Sequence, residues 1–235
     1  IVLHAHRGLG TGEPFEGGVA TLGTSAATTV PVPQVELADL TGDNVRDLAR
    51  DPQIAAITLP MPLTMIGPVA EETEASEEVA AAPAAIAWGI SAVRADTSPF
   101  DGAGVNVAVL DTGIDSSHPA FQGVTLVEQD FTGEGNGDLQ GHGTHCAGTI
   151  FGRDVDGTRI GVARGVTRAL IGKVLDGNGS GSSEALFNAI TWATEHGAHV
   201  VSMSLGFDFP GLVERLSQQM PVRLATSRAL EAYRG

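Results

Sequence analysis

The chain has little from which a covalent or ionic scaffold could be built. Its 235 residues include one cysteine, Cys146, which excludes an internal disulfide framework and a four-cysteine zinc module. Aromatic residues make up 5% and charged residues 17%. Basic residues are the scarcer charge, with 13 Lys and Arg against 28 Asp and Glu, a net charge of −15, and Lys173 as the single lysine. A surface of that sign repels phosphate backbones and argues against nucleic acid as a partner. No run of 18 apolar residues occurs, so no membrane span is expected. What remains is 42% hydrophobic, a globular composition. The length suits one large domain or a domain with an appendage, with a core that needs no staple.

Composition divides the sequence near residues 67–86, an acidic Ala/Pro-rich stretch containing Glu71, Glu72, Glu74, Glu77 and Glu78. Without an apolar stripe it reads as a solvated linker, or as a short surface helix. Residues 1–66 before it read as a small α+β domain. A strand is expected at Ile1-Val2-Leu3 and an alternating one over 35–40. A helix capped by Thr41 follows and closes at Asp51-Pro52, and 54–59 reads as another strand. Residues 87–235 alternate strands (105–110, 169–175, 199–205) with helices, one starting near His142 and one capped by Ser182 or Ser183. Such alternation predicts an α/β fold, a parallel sheet with helices on both faces, whose working residues sit at the carboxyl ends of strands. Residues 207–235 carry Leu212, Val213, Leu216, Val222, Leu224, Ala225 and Leu230 at helical spacing. They read as two amphipathic helices broken at Met220-Pro221, an insertion or extension.

Two segments carry chemistry. In Val109-Leu110-Asp111-Thr112-Gly113-Ile114-Asp115 a carboxylate ends a buried strand and a glycine turn follows. Asp111 there either satisfies turn amides or holds an imidazole. In Gly141-His142-Gly143-Thr144-His145-Cys146-Ala147-Gly148 small residues flank a histidine at a helix start. His142 there is either a packed helix-end histidine or a base with one nitrogen held and the other free to take a proton. A third reading, a zinc site, uses His142, His145 and Cys146 at helical offsets of three and four.

Taken together, the two segments resemble the Asp and His motifs of the subtilisin-like serine proteases, the subtilase family. The resemblance continues through Ala87-Trp88-Gly89-Ile90, Gly161-Val162-Ala163, Val174-Leu175, Gly179-Ser180-Gly181 and Val201-Ser202-Met203-Ser204-Leu205-Gly206. It implies a serine-type endopeptidase with an Asp-His-Ser triad. In that enzyme Asp111 orients His142 and stabilises its charged form, and His142 is the general base. Backbone groups of Ser180, Gly181, Ser204, Leu205 and Gly206 would clamp an extended peptide or protein substrate. Residues 1–66 resemble the family's propeptide, which implies a partner domain whose tail, near 60–68, lies in the substrate groove. Family habit also favours export to the extracellular space.

The sequence departs from the family pattern in three places. The family's nucleophile loop, Gly-Thr-Ser-x-Ala, and its oxyanion asparagine find no match after Gly206, so the chain reads as a propeptide plus the amino-terminal half of a catalytic domain, inactive by itself. The alternative is a non-catalytic, truncated subtilase acting as a protease-binding or inhibitory module. Gly23-Thr24-Ser25-Ala26-Ala27 imitates the nucleophile loop, but it runs into Val30-Pro31-Val32-Pro33, which no helix interior tolerates. Calcium is common in the family, yet the position after His118-Pro119, often an acidic ligand, is Ala120, and Asp154 and Asp156 read as solvated. No cofactor or metal is therefore assigned.

Overall fold

The structure, a computed structural model, describes residues 1–4, 34–67 and 85–234. The Ser25 segment and the 67–86 linker, apart from its ends, lie outside the described residues. The chain divides into two compact units, Ile1–Leu59 and Pro60–Arg234.

In the first unit β1 (Val2–His4) runs antiparallel between β2 (Gln34–Glu36) and β3 (Ile54–Ile57). Helix α1 (Gly42–Leu48) connects β2 to β3. Thr41 caps it reciprocally: its hydroxyl accepts from the Asn44 amide at 3.3 Å, and the Asn44 side-chain oxygen accepts from the Thr41 amide at 3.1 Å. Asp51 closes the following turn by accepting from the Gln53 amide at 2.8 Å. Ile1 and Val2 are buried, but α1 buries no residue at all.

The second unit begins with β4 (Pro62–Met65) and α2 (Trp88–Ala92), then β5 (Val107–Asp111), β6 (Thr125–Asp130), α3 (His142–Phe151) and β7 (Arg168–Lys173). It continues with β8 (Ser180–Ser182), α4 (Ser183–Glu195), β9 (Val200–Ser202), β10 (Leu205–Phe207), α5 (Phe209–Ser217) and α6 (Val222–Arg234). A four-stranded parallel sheet in the order β6-β7-β5-β9 forms its centre. All five residues of β5 are buried because both faces are covered. Val107 and Val109 pack with Ala147 and Phe151 of α3, while Ala108 and Leu110 pack with Ala193 and Ala189 of α4. Ser182 caps α4, its hydroxyl accepting from the Ala185 amide at 3.2 Å. This is an α/β fold with helices on both faces of a parallel sheet. Among the described residues no helix is long and apolar enough to cross a membrane.

A second sheet, β10-β4-β8, is antiparallel, with β4 in the middle. It explains why 199–205 is not one strand. β9 ends at Ser202 and β10 begins at Leu205, so the chain leaves the parallel sheet and pairs with β4 instead. The expected carboxy-terminal helices are α5 and α6. Their inward faces bury Leu212 and Ala229 against Met61, and the Arg215 guanidinium donates to the Pro60 carbonyl at 2.6 Å.

Candidate active site

Asp111 is the last residue of β5 and lies in register with Lys173, the last of β7. This is the carboxyl end of the parallel strands, where α/β folds open to ligands. His142 opens α3, which must approach β5 closely for the two side chains to meet. Gly143 permits this: a Cβ there would lie 2.2 Å from the Gly113 carbonyl oxygen and 3.2 Å from Asp111 Cβ. Gly113 itself, at φ 106°, leaves no room either, since its Cβ would sit 2.1 Å from the Gly137 carbonyl oxygen. With both glycines in place, His142 Nδ1 lies 2.8 Å from Asp111 Oδ1.

Asp111 is 1% exposed. Its Oδ1 also accepts from the Thr112 amide at 2.7 Å, while Oδ2 is buried without a hydrogen-bond partner among the described residues. His142 Nε2 lies 3.1 Å from the carbonyl oxygen of Ile66. Both ring nitrogens therefore face acceptors, and both contacts are hydrogen bonds only if the ring is an imidazolium. The balance of forces agrees. Burial alone would lower the His142 pKa, but the Asp111 hydrogen bond and charge, the Ile66 carbonyl and the Asp138 charge outweigh it and raise the pKa above its ordinary value.

Three further residues build this site without having been read as site residues from the sequence. Asp138 ties the β5 turn to the start of α3. Its Oδ1 accepts from the Thr112 hydroxyl (2.8 Å) and from the Gly141 (2.8 Å) and Gln140 (3.1 Å) amides; its Oδ2 accepts from the Thr144 amide (2.9 Å) and hydroxyl (2.6 Å). These donors outweigh the cost of burial and hold the Asp138 carboxyl below the usual carboxylate range. Thr112 passes the link on, its hydroxyl accepting from the Gly143 amide at 2.9 Å. Lys173, 2% exposed, donates to the Thr112 carbonyl at 3.0 Å and lies 3.3 Å from Glu134 Oε2. An aspartate just before a helix start is the signal that could have revealed Asp138.

The zinc reading fares differently. Among the described residues the one group of potential ligands is Asp111, His142 and Cys146, and His145 is not part of it. His145 lines a separate cavity with His118 and Phe121. Cys146 Sγ lies 3.8 and 3.9 Å from the two ring nitrogens of His142. Burial first, and then the Asp111 charge, push its thiol up to about 11, which disfavours the thiolate a metal would need. Calcium does not fit the position after Pro119. Ala120 is buried without a side-chain oxygen, and its carbonyl accepts from the Arg153 amide at 2.7 Å. The Arg153 guanidinium donates to the carbonyls of Phe151, Arg164 and Val166. Both carboxylate oxygens of Asp154 accept from Arg164 Nη1, at 2.8 and 3.0 Å.

All five groove residues named from the sequence flank β4. Leu63 pairs with Gly181, Thr64 with Ser180 and Gly206, and Met65 with Leu205. The ladder ends with the Met65 amide donating to the Gly179 carbonyl (2.9 Å) and the Ile66 amide to the Ser204 carbonyl (3.0 Å). Leu63 is 1% exposed among Leu110, Val174, Leu175 and Ala189. The arrangement therefore holds an extended peptide by its backbone, buries one apolar side chain of it, and delivers a carbonyl to a carboxylate-held imidazole.

Residues 102–230 match the model of the subtilase family, Peptidase_S8. The chain is 44% identical over 122 residues to the major intracellular serine protease of Bacillus subtilis (strain 168), covering 48% of this chain and 38% of that protein. It is 35% identical over 209 residues to an alkaline protease of Alkalihalobacillus alcalophilus, covering 86% of this chain and 47% of the relative. Against subtilisin DY of Bacillus licheniformis the figures are 40% over 128 residues, 52% and 45%. The chain thus spans less than half the length of these curated relatives.

Proposed function

The chain belongs to the subtilase family, and from that premise we propose that it carries the base-and-orienter half of a serine endopeptidase site. The observation that supports this most directly is the 2.8 Å contact of Asp111 Oδ1 with His142 Nδ1 beside a groove paired to a peptide strand. In this reading a serine hydroxyl adds to a substrate carbonyl carbon while His142 Nε2 takes its proton. The C–N bond then breaks, the proton passes to the leaving amine, and water hydrolyses the acyl ester. Asp111 keeps the imidazole in the required tautomer and stabilises its cation. Ser180, Gly181, Ser204, Leu205 and Gly206 hold the substrate as an added strand. Every one of these steps is carried by side chains and backbone, with no cofactor.

The domain reading follows the same logic. Residues 1–66 are a propeptide ending in β4, 67–86 a linker, and 87–235 the amino-terminal part of the catalytic domain with α5 and α6 as its extension. The serine and its oxyanion donor lie outside residues 1–235, so this chain alone is inactive. The coding sequence beyond residue 235 tests the proposal, which requires a downstream Gly-Thr-Ser-x-Ala segment. In the protein carrying it, His142→Ala lowers peptidase kcat by about 10²–10⁴-fold, the usual worth of general acid–base catalysis. A stop codon in place of that segment favours the second reading, a non-catalytic module that binds proteases. Export to the extracellular space is part of the enzymatic reading.

A further inference from the structure

The groove continues past the start of β4, and helices α5 and α6 build its far end. Counting back from Ile66, whose carbonyl faces His142 Nε2, Leu63 is the fourth residue and Met61 the sixth. β4 begins at Pro62, yet the backbone is gripped for two residues more. The Asp208 amide donates to the Pro62 carbonyl at 2.8 Å. The Met61 amide donates to the Ser183 hydroxyl at 3.0 Å, and its carbonyl accepts from the Ser183 amide at 2.9 Å. The Arg215 guanidinium donates to the Pro60 carbonyl at 2.6 Å. Main-chain contacts of this kind accept any extended peptide, and the side-chain pockets between them choose among peptides. We propose that α5 and α6 form a further substrate subsite: an apolar pocket for the sixth residue before the cleaved bond, with Arg215 clamping the seventh. The inference rests on the endopeptidase reading above and adds to it a preference for long, apolar-bearing substrates.

This pocket is separate from the one that takes the fourth residue. Leu63 packs among Leu110, Val174, Leu175 and Ala189 of the main core. Met61, 8% exposed, packs instead with Leu212 of α5 and Ala229 of α6, both fully buried, and with Phe209, Val213 and Leu216 around them. Residues two apart on an extended chain point the same way, so one wall of the groove holds both pockets. The lining named here is apolar. A methionine or leucine gains by burial there, whereas a glutamine of the same length buries an amide that these side chains cannot satisfy.

The hairpin is tied to the groove strand. A single residue, Asp208, separates β10 from α5, and its Oδ1 caps the helix by accepting from the Gly211 amide at 3.0 Å. Tyr233 of α6 meets Phe207 of β10 and Phe209 of α5 edge-on, each with ring centres 6.4 Å apart. The pocket therefore keeps its register relative to the strand that pairs with the peptide.

The test measures kcat/KM of the full-length protein on two chromogenic peptides. One copies Leu63 to Ile66 before the bond and the other copies Pro60 to Ile66. The longer peptide is expected to be the better substrate by about tenfold or more, the worth of a few methylenes in an apolar pocket. Glutamine in place of its methionine removes that gain. Arg215 is exposed, so Arg215→Ala spares the hairpin core; it lowers the ratio of long to short by about threefold or more. Equal kcat/KM for the two peptides, or indifference to the glutamine, overturns this inference and leaves the endopeptidase reading standing. A ratio unchanged in Arg215→Ala overturns the clamp. Hydrolysis of neither peptide overturns both readings.

Discussion

The described residues of the two units differ in how deeply they are buried. Among the described residues of the first, three short paired strands and a capped helix bury Ile1 and Val2 but no residue of α1. In the second, β5 is buried on both faces by α3 and α4, and Phe151, Leu110 and Leu170 are fully enclosed. The lesson is that this protein places the residues with chemical potential where burial is deepest. Asp111 and His142 can be held at 2.8 Å because β5 and α3 are fixed by a core, not by their own propensities.

Substitutions can test that contrast. The largest effect is expected for Phe151→Ala, which opens a cavity beside Val109 and Ile171 and costs about 3–5 kcal/mol. Urea unfolding followed on the second unit measures it, and a loss below about 1 kcal/mol would mean the core is not what holds α3. Next comes Gly143→Ala, which forces α3 away from Gly113 and costs about 1–3 kcal/mol as an overpacked contact. It carries a second readout: the His142 pKa falls back towards its ordinary value as the Asp111 bond lengthens, visible in an NMR titration. An unshifted titration would detach the Gly143 contact from the site.

Smaller effects belong to the first unit and to the groove. Thr41→Ala removes a cap and costs about 1 kcal/mol, confined to the first unit. The same loss appearing in the unfolding of the second unit would show the two to be one cooperative block. The smallest effect is a pH dependence of the β4 end. The His142 pKa is raised, so the contribution of its bond to Ile66 is complete below the ordinary value of about 6.5. It fades as pH rises through the folded value. Hydrogen exchange at the Ile66 amide, corrected for intrinsic rate, then speeds up above that pH by a small factor. A flat profile argues against the imidazolium contact.

Much of the second unit could be read in advance because its signals are local. The apolar run ending in Asp111 could only be a buried strand, and the glycines around His142 announced a close approach. The Ser182 cap and the turn at Asp51 also act over a few residues, so their outcome did not depend on distant partners. What escaped the sequence is non-local. Asp138 belongs to the site through Thr112, 26 residues away, whose hydroxyl donates to it. Lys173 stood out as the single lysine, but its burial under the Thr112 carbonyl depends on a contact 61 residues distant. The break of 199–205 into β9 and β10 is of the same kind, since it is decided by pairing with β4.

The sequence by itself determined the alternation of strands and helices, the family to which the chain belongs, and the two residue types that meet at the carboxyl end of the parallel strands. These follow from periodicity, from small residues at a helix start, and from a carboxylate at a strand end, all properties of neighbouring residues. Only the tertiary structure decided that Asp111 and His142 share a hydrogen bond, that the Arg164 guanidinium pairs with Asp154, and that the Ile66 carbonyl is the group delivered to Nε2. Those outcomes depend on register and on close packing between segments far apart in the chain. A one-residue shift would reverse them while leaving every local signal unchanged.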